Sequence, residues 1–200
     1  MPSLLELPKK VAGYLFLDNS YGKYYTSDVW DRMYRAGHSL DTPLEKARYA
    51  AVRDLVWQYG GGGLVLDTGC GDGLLEKTCD SLGLKMVGID YSQTAIARAR
   101  QRRLDNCEFI CADAREFCPA QRFCVIVLNE SLYYLEECAE YLQAMTAFLE
   151  PSGVFIISMY DTRITARIWE RLRHDFSVVS EVRIRDRVSW KIRVLRPHRT

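Results

Sequence analysis

No run in this chain is long enough to cross a membrane: a span needs about 20 predominantly apolar residues, and no window of the sequence approaches that. The N-terminal stretch "MPSLLELPKKVAGYLFLDNS" has neither a long apolar core nor a small-residue cleavage site, so it does not read as a secretory leader. Cysteine pairs are missing too. The seven cysteines, at 70, 79, 107, 111, 118, 124 and 138, are odd in number and contain no C-x-x-C. They read as small, reduced core hydrophobes, and the expected compartment is the cytoplasm. Excess charge is absent as well: the formal charge is +1, so no overall field draws the protein to nucleic acid or anionic lipid. The balance is uneven, however. From Asp161 onward there are eleven Lys and Arg against five Asp and Glu, either a solvated basic face on edge strands or a docking surface for an anionic substrate. There is no internal repeat and no low-complexity tract. The 200 residues, 48% hydrophobic, make one domain able to bury a core, with no room for a second full domain.

What is present is an alternation. Apolar, strand-like runs near 63–67, 85–90, 107–111, 123–129 and 153–159 are separated by helix-period segments such as "LLEKTCDSLG", "SQTAIARARQRR" and "CAEYLQAMTAFL". Strands buried on both faces read as continuous Val/Ile/Leu runs, and crossover helices make them parallel, so the pattern predicts an open, doubly wound α/β sheet. Pro151-Ser152-Gly153 reads as a turn before the strand "VFIIS". Beyond it, "TARIWERLRHDF" predicts one more helix, and "SVVSEVRIRDRVSWKIRVL" alternates on either side of "RDR" as an antiparallel hairpin does. Upstream, Thr42 caps, Pro43 starts and Gly60 stops a helix leading into the first strand. The segment before it, "LDNSYGKYYTSDVWDRMYRAGHS", is rich in Tyr and Trp.

The stretch "VLDTGCGDG" at 65–73 places a glycine-rich turn between the first strand and its helix, where open α/β sheets bind ligands. A dinucleotide loop of the form G-x-G-x-x-G would need glycine at 74, which is Leu, and no G-K-[ST] follows for a phosphate loop. Asp67, two residues before Gly69, also brings negative charge to a site that would have to attract a phosphate, whereas it suits a cationic ligand. Asp67-Thr68-Gly69-Cys70-Gly71-Asp72-Gly73 resembles the first signature motif of class I S-adenosylmethionine (SAM) methyltransferases, D/E-x-G-x-G-x-G. Three more segments fall in register with it: "VGID" to Asp90, "CADA" through Asp113 and "VLNESLYYL" after the fourth strand. The resemblance covers roughly residues 60 to 196. It implies a Rossmann-like seven-stranded sheet of order 3-2-1-4-5-7-6, a core over 61–200, and an N-terminal helical, aromatic lid over 1–60 of the same single domain. It also implies SAM as cofactor, with S-adenosylhomocysteine (SAH) as product. Asp67, Gly69, Cys70, Gly71 and Gly73 would form the cofactor loop. Asp90 would take the ribose hydroxyls, Tyr91 would lie on the adenine, Asp113 would accept from the adenine amino group, and the Ala114 backbone would contact the ring. Asn129 would lie near the cofactor's amino group. The plainer alternatives are helix N-caps for Asp90 and Asp113 and a surface aromatic for Tyr91.

Methyl transfer from a sulfonium is an in-line displacement that needs alignment in a water-poor pocket, and a base only where the acceptor must lose a proton early. Glu130 is the expected base or amine anchor, with Tyr134 and His38 as further catalytic candidates. Tyr25 and Trp30 are the lid residues expected to touch ligand, the alternative being an ordinary aromatic core. The N-x-P-Y-type signature of adenine or glutamine amino methyltransferases is absent, as are an Asp-rich metal set and a spare domain to grip a macromolecule. The expected acceptor is therefore an N or O atom of a small molecule. "NESLYYL" and the aromatic lead-in also resemble the nodulation N-methyltransferases that act on a chitooligosaccharide amine, and related enzymes of sugar and natural-product pathways. No nucleic-acid or membrane partner and no metal are expected, and the chain is expected to be a monomer or homodimer. The rival readings are a nucleic-acid methyltransferase using "ARARQRR" and the basic C-terminal half as a phosphate track, and a non-catalytic SAM-binding protein.

Overall fold

The computed structural model describes residues 26–198, so Tyr25 lies outside the described residues. The sheet has the expected seven strands. β1 (Leu64–Thr68), β2 (Lys85–Asp90), β3 (Cys107–Cys111), β4 (Phe123–Asn129) and β5 (Leu149–Tyr160) run parallel, and β6 (Phe176–Arg185) and β7 (Ser189–Pro197) form the antiparallel hairpin. The order is β3-β2-β1-β4-β5-β7-β6, so the sequence direction reverses between β1 and β4, where an open sheet splays a ligand crevice.

Alternate residues of the central strands face opposite helical layers. Leu66, Ile126, Leu128 and Ile157 pack toward α5 (Cys138–Met145) and α6 (Arg163–Leu172) through Leu142, Met145, Trp169 and Leu172. Val65, Val125, Val127 and Ile156 pack toward α2 (Pro43–Gly60) and α3 (Leu74–Cys79) through Val52, Leu55, Val56, Leu75 and Cys79. Both layers are dry, which is why the strand runs carry no polar alternation. Pro43 opens α2, and Gly61 in the left-handed region closes it, one residue past the expected stop. The Oγ of Ser92 caps α4 (Gln93–Gln101) by accepting from the Ala95 amide at 3.1 Å. The aromatic lead-in contributes α1 (Ser27–Arg35), which packs on α4 through Trp30, Tyr34 and Ala95.

Two expectations are corrected. Pro151-Ser152-Gly153 lies inside β5 rather than before it: the pairing shifts between Phe123↔Leu149 and Val125↔Val154, so the extra residues form a bulge within a continuous strand. The cysteines are all free, but only Cys70, Cys79, Cys124 and Cys138 are buried; Cys111 and Cys118 are exposed, Cys111 because it ends the edge strand β3.

Candidate functional site

The turn after β1 is built around left-handed backbone. Gly69 has φ +79°, and a Cβ there would lie 2.6 Å from that of Ser131; Gly71 has φ +59°, and a Cβ there would lie 2.5 Å from Tyr34 Oη. These glycines are therefore required by the protein's own close packing as well as by backbone conformation. Gly69 and Cys70 donate their amides to the Ile89 carbonyl, at 2.8 and 3.0 Å, which ties the loop to the end of β2. Asp90 ends that strand. Its Oδ2 accepts from the Gly71 amide at 3.0 Å and its Oδ1 from the Ser92 amide at 2.9 Å. The carboxylate is thus pinned between two turns, while capping of α4 falls to Ser92.

The four strand ends open on one cavity of about 470 Å³, of the size that takes a small ligand. It is lined by the loop from Asp67 to Asp72, by Asp90, Tyr91, Asp113 and Ala114, by Asn129, Glu130 and Tyr134, and by Trp30 and Tyr34 of α1. Gly73 stands just outside this lining, at the N-terminus of α3. His38, expected at the acceptor, also lies outside the lining. The chain turns at Ala36 and Gly37 after α1, so its ring packs edge-on to Trp30 and Tyr34, with centroids 5.9 and 5.7 Å away, and it does not reach the cavity wall.

The cavity is acidic. Among the described residues, Asp67, Asp72, Asp90, Asp113, Glu130 and Glu136 line it against one lining cation, Arg115. Arg115 is committed to Asp113, donating from Nε at 3.0 Å and Nη2 at 2.5 Å, and this pairing holds the Asp113 carboxyl below its usual range. Asp72 is paired with Arg102 at 2.8 Å. The Cys70 thiol is pushed well up, by burial first and then by the surrounding carboxylates, so it stays neutral. A positively charged ligand matches this lining, and a pyrophosphate does not.

After β4 the backbone turns through Glu130 at φ +61°. Its carboxylate is buried, accepting from Tyr133 Oη at 2.9 Å and Ser158 Oγ at 3.2 Å. Trp30 and Tyr134 stand edge to face at 5.4 Å on the cavity wall. Asn129 lines the cavity from the end of β4. Its Oδ1 accepts from Arg48 Nη1, a group that only donates, so the amide orientation is fixed with its N–H groups free to donate to a ligand oxygen.

Four participants left no usable signal in the sequence. Arg48 on α2 is fully buried. Its Nε donates to Glu45 at 2.8 Å, and although burial disfavours its charge, Tyr49, Glu130 and Glu45 keep its pKa above the ordinary arginine value. Asp31 on α1 accepts from Ser92 Oγ at 2.5 Å and the Thr94 amide at 3.0 Å. Tyr34 reaches the glycine loop where Tyr25 and Trp30 were expected to carry the aromatic contact. Glu76, fully buried, stands behind Asp67. The i,i+3 spacing of Glu45 and Arg48 was the one available hint, and it is equally the pattern of an exposed pair.

Comparison with known proteins matches this geometry. A family model described as "Methyltransferase domain" matches residues 61–191. A ubiquinone biosynthesis O-methyltransferase of Bradyrhizobium diazoefficiens is 32% identical over 101 residues, 49% of this chain and 40% of that protein. A trans-aconitate 2-methyltransferase of Escherichia coli is 36% identical over 101 residues, 48% of this chain and 39% of that protein. The chain thus matches about two fifths of the length of these curated relatives. Among solved structures, the N-methyltransferase NodS from Bradyrhizobium japonicum, in complex with SAH, superposes with a TM-score of 0.67 at 23% identity, covering 90% of this chain and 99% of that one. The DhpI–SAH complex superposes with a TM-score of 0.69 at 16% identity, covering 90% and 98%. With a methyltransferase-domain match over most of its length, the strand order of that fold and an acidic crevice at the strand ends, the chain belongs to the class I SAM-dependent methyltransferases.

Proposed function

We propose that the crevice holds SAM and that the chain moves its methyl group to a nitrogen or oxygen of a small molecule, such as an amino sugar or a natural-product intermediate. The observation that carries this reading is that the glycine loop, Asp90, the Asp113–Ala114 turn and Glu130 all line one cavity, so a nucleoside seat and an acceptor seat are continuous. In this reading Asp90 takes the ribose hydroxyls, Tyr91 and Ala114 border the adenine, and Asp113, already ionised beside Arg115, accepts from its amino group. Asp67 faces the positive charge, and the Asn129 amide donates to a ligand oxygen. When bound, SAM supplies an activated methyl group on a sulfonium.

The residues of the chain then supply alignment and dryness. Trp30 and Tyr134 wall the acceptor end and exclude water. Glu130 orients the acceptor through its N–H or O–H and takes its proton, with Tyr133 and Ser158 holding the carboxylate in place. An amine is favoured over a hydroxyl because its lone pair is available without an early proton loss, so the carboxyl group needs only to orient its hydrogens. NodS and the glycopeptide enzyme MtfA are named as N-methyltransferases, while the curated relatives above are named as a ubiquinone biosynthesis O-methyltransferase and a trans-aconitate 2-methyltransferase.

A nucleic-acid acceptor finds no support. Arg171, Arg173, Arg183, Lys191 and Arg193 are paired with Glu140, Glu170, Glu181, Asp161 and Glu181, and the cavity itself is lined by acids. Incubation with methyl-labelled SAM and a panel of amino sugars, hydroxylated sugars, small aromatic amines and RNA tests the proposal. Label is expected in a small amine. Label in RNA alone, or bound SAM with no transfer to any member, would overturn it.

A further inference from the structure

Behind the crevice wall lies a carboxyl group that the reading above does not use. Glu76, in the first turn of α3, is fully buried and reaches over the sheet to Gly88, where a Cβ would lie 2.6 Å from Glu76 Oε1. Gly88 is the register partner of Asp67 in the parallel pair β1–β2. The missing side chain at 88 is therefore what makes room for the Glu76 carboxyl beside that of Asp67. Among the described residues no other side chain stands in hydrogen-bonding geometry to Asp67 Oδ1 or to either Glu76 oxygen, and the two carboxyl groups are close enough to hydrogen-bond each other.

Two carboxylates side by side in a buried site repel strongly, and a single proton shared between them relieves the repulsion. The surroundings reinforce this. Burial, with the charge of Asp90 added, pushes Asp67 up to about 7, and burial with the charge of Asp67 added pushes Glu76 well above the carboxylate range. The other charges facing the pair leave it in place. Arg48 favours ionised Asp67 but is engaged with Glu45, and Arg102 favours ionised Glu76 but is engaged with Asp72. Cys70 and Tyr49 are both pushed upward and carry no charge.

We propose that Glu76 is a specificity-determining residue of the cofactor site: it shares one proton with Asp67 in the ligand-free protein, and that proton is released when a positively charged sulfonium nucleoside occupies the crevice. Asp67 lines the cavity and Glu76 does not, so Glu76 acts through Asp67 as a positioning residue. One O–H bond breaks and the proton passes to the solvent, leaving two carboxylates opposite one ligand cation. A thioether product, having lost that cation, does not support the doubly ionised pair, so the device favours methyl donor over spent cofactor. The proposal rests on the reading of the crevice as the SAM seat.

Calorimetric titration of the whole chain with SAM and with SAH, in phosphate and in Tris at one pH, counts the protons released. Native protein is expected to release close to one proton per SAM and fewer per SAH, and to bind SAM up to about tenfold more tightly per pH unit while the pair is still protonated. In Glu76→Gln the extra release and the extra pH slope are both expected to vanish, and the preference for SAM over SAH to narrow. The amino group of SAM titrates in both proteins and cancels in the comparison. Equal proton counts and slopes in native protein and Glu76→Gln, or equal release for SAM and SAH, would overturn the proposal. Should Glu76→Gln fail to melt cooperatively, the native protein alone decides: SAM is expected to remove a protonated-carboxyl stretch from its difference infrared spectrum, and persistence of that band is contrary. Failure of native protein to bind SAM at all would instead overturn the cofactor reading, and this proposal with it.

Discussion

Glu130 shows how one residue can be both strained and anchored. A non-glycine residue at φ +61° costs on the order of 1 kcal/mol or more and persists where surrounding contacts over-determine it. Here the Glu130 amide donates to the Ser158 carbonyl at 3.0 Å while both carboxylate oxygens accept from hydroxyls. Strain held this way at a cavity wall is in keeping with the acceptor-side role proposed for Glu130. Glu130→Gln keeps the volume and removes the charge, so turnover is expected to fall by about 10²–10⁴-fold, with SAM affinity changed by no more than a few-fold. Parallel loss of both in steady-state kinetics and titration would make Glu130 scaffolding. Glu130 was legible because it follows a strand ending at the right edge of the sheet. Arg48 was not: on α2 it sits three residues from Glu45, as a surface pair would, and its burial is decided by Tyr160 and Trp190, more than a hundred residues later. No local pattern carries that information.

At the scale of elements, α1 is joined to the cofactor side of the sheet by polar contacts rather than by a large apolar face. Asp31 accepts from Ser92 and Thr94 at the start of α4, and Arg98 of α4 donates to the Tyr34 carbonyl at the end of α1. The Ser92 and Thr94 hydrogen bonds hold the Asp31 carboxyl below its usual pKa, so the latch is complete at neutral pH and weakens as pH falls through that lowered value. Asp31→Ala removes an extra cap from α4, a loss of about 1 kcal/mol. If α1 closes over bound cofactor, SAM affinity is expected to drop about fivefold, chiefly through faster dissociation, read by stopped-flow fluorescence of Trp30. An unchanged dissociation rate would show that α1 is fixed scaffold. The order of elements was legible because strand and helix periods differ and because buried parallel strands lack polar alternation, as "FCVIVLN" shows. The latch was not, since it joins Asp31 to residues some sixty positions away. Pro151-Ser152-Gly153 misled for a related reason: turn chemistry inside a strand yields a bulge when both flanks are paired, and the pairing partner at Phe123–Val125 is remote in sequence.

Over the whole molecule, charge is divided between paired ions at the surface and crowded acids at the crevice. Among the described residues no helix is long and apolar enough to cross a membrane. Asp67 and Glu76 titrate above their unfolded values, so between about pH 4 and pH 7 the folded state holds protons that the unfolded chain has given up, and stability falls as pH rises through that window. The loss is on the order of 3 kcal/mol. Asp113 and Glu181 are shifted downward and act in the opposite sense, losing their contribution as pH falls through their lowered values. Ligand-free protein is therefore expected to melt highest near pH 5 and several degrees lower at pH 8; a melting temperature that is flat or rises across this range runs against the account. The central claim, that the ends of the parallel strands form one seat for the methyl donor, is tested most directly by calorimetric titration of SAM into native protein and Asp90→Ala. The expected result is one SAM bound per native chain and an affinity at least thirtyfold weaker in the variant, on the order of 2 kcal/mol, with the ligand-free variant still melting cooperatively. Equal SAM affinity in the two proteins would contradict it.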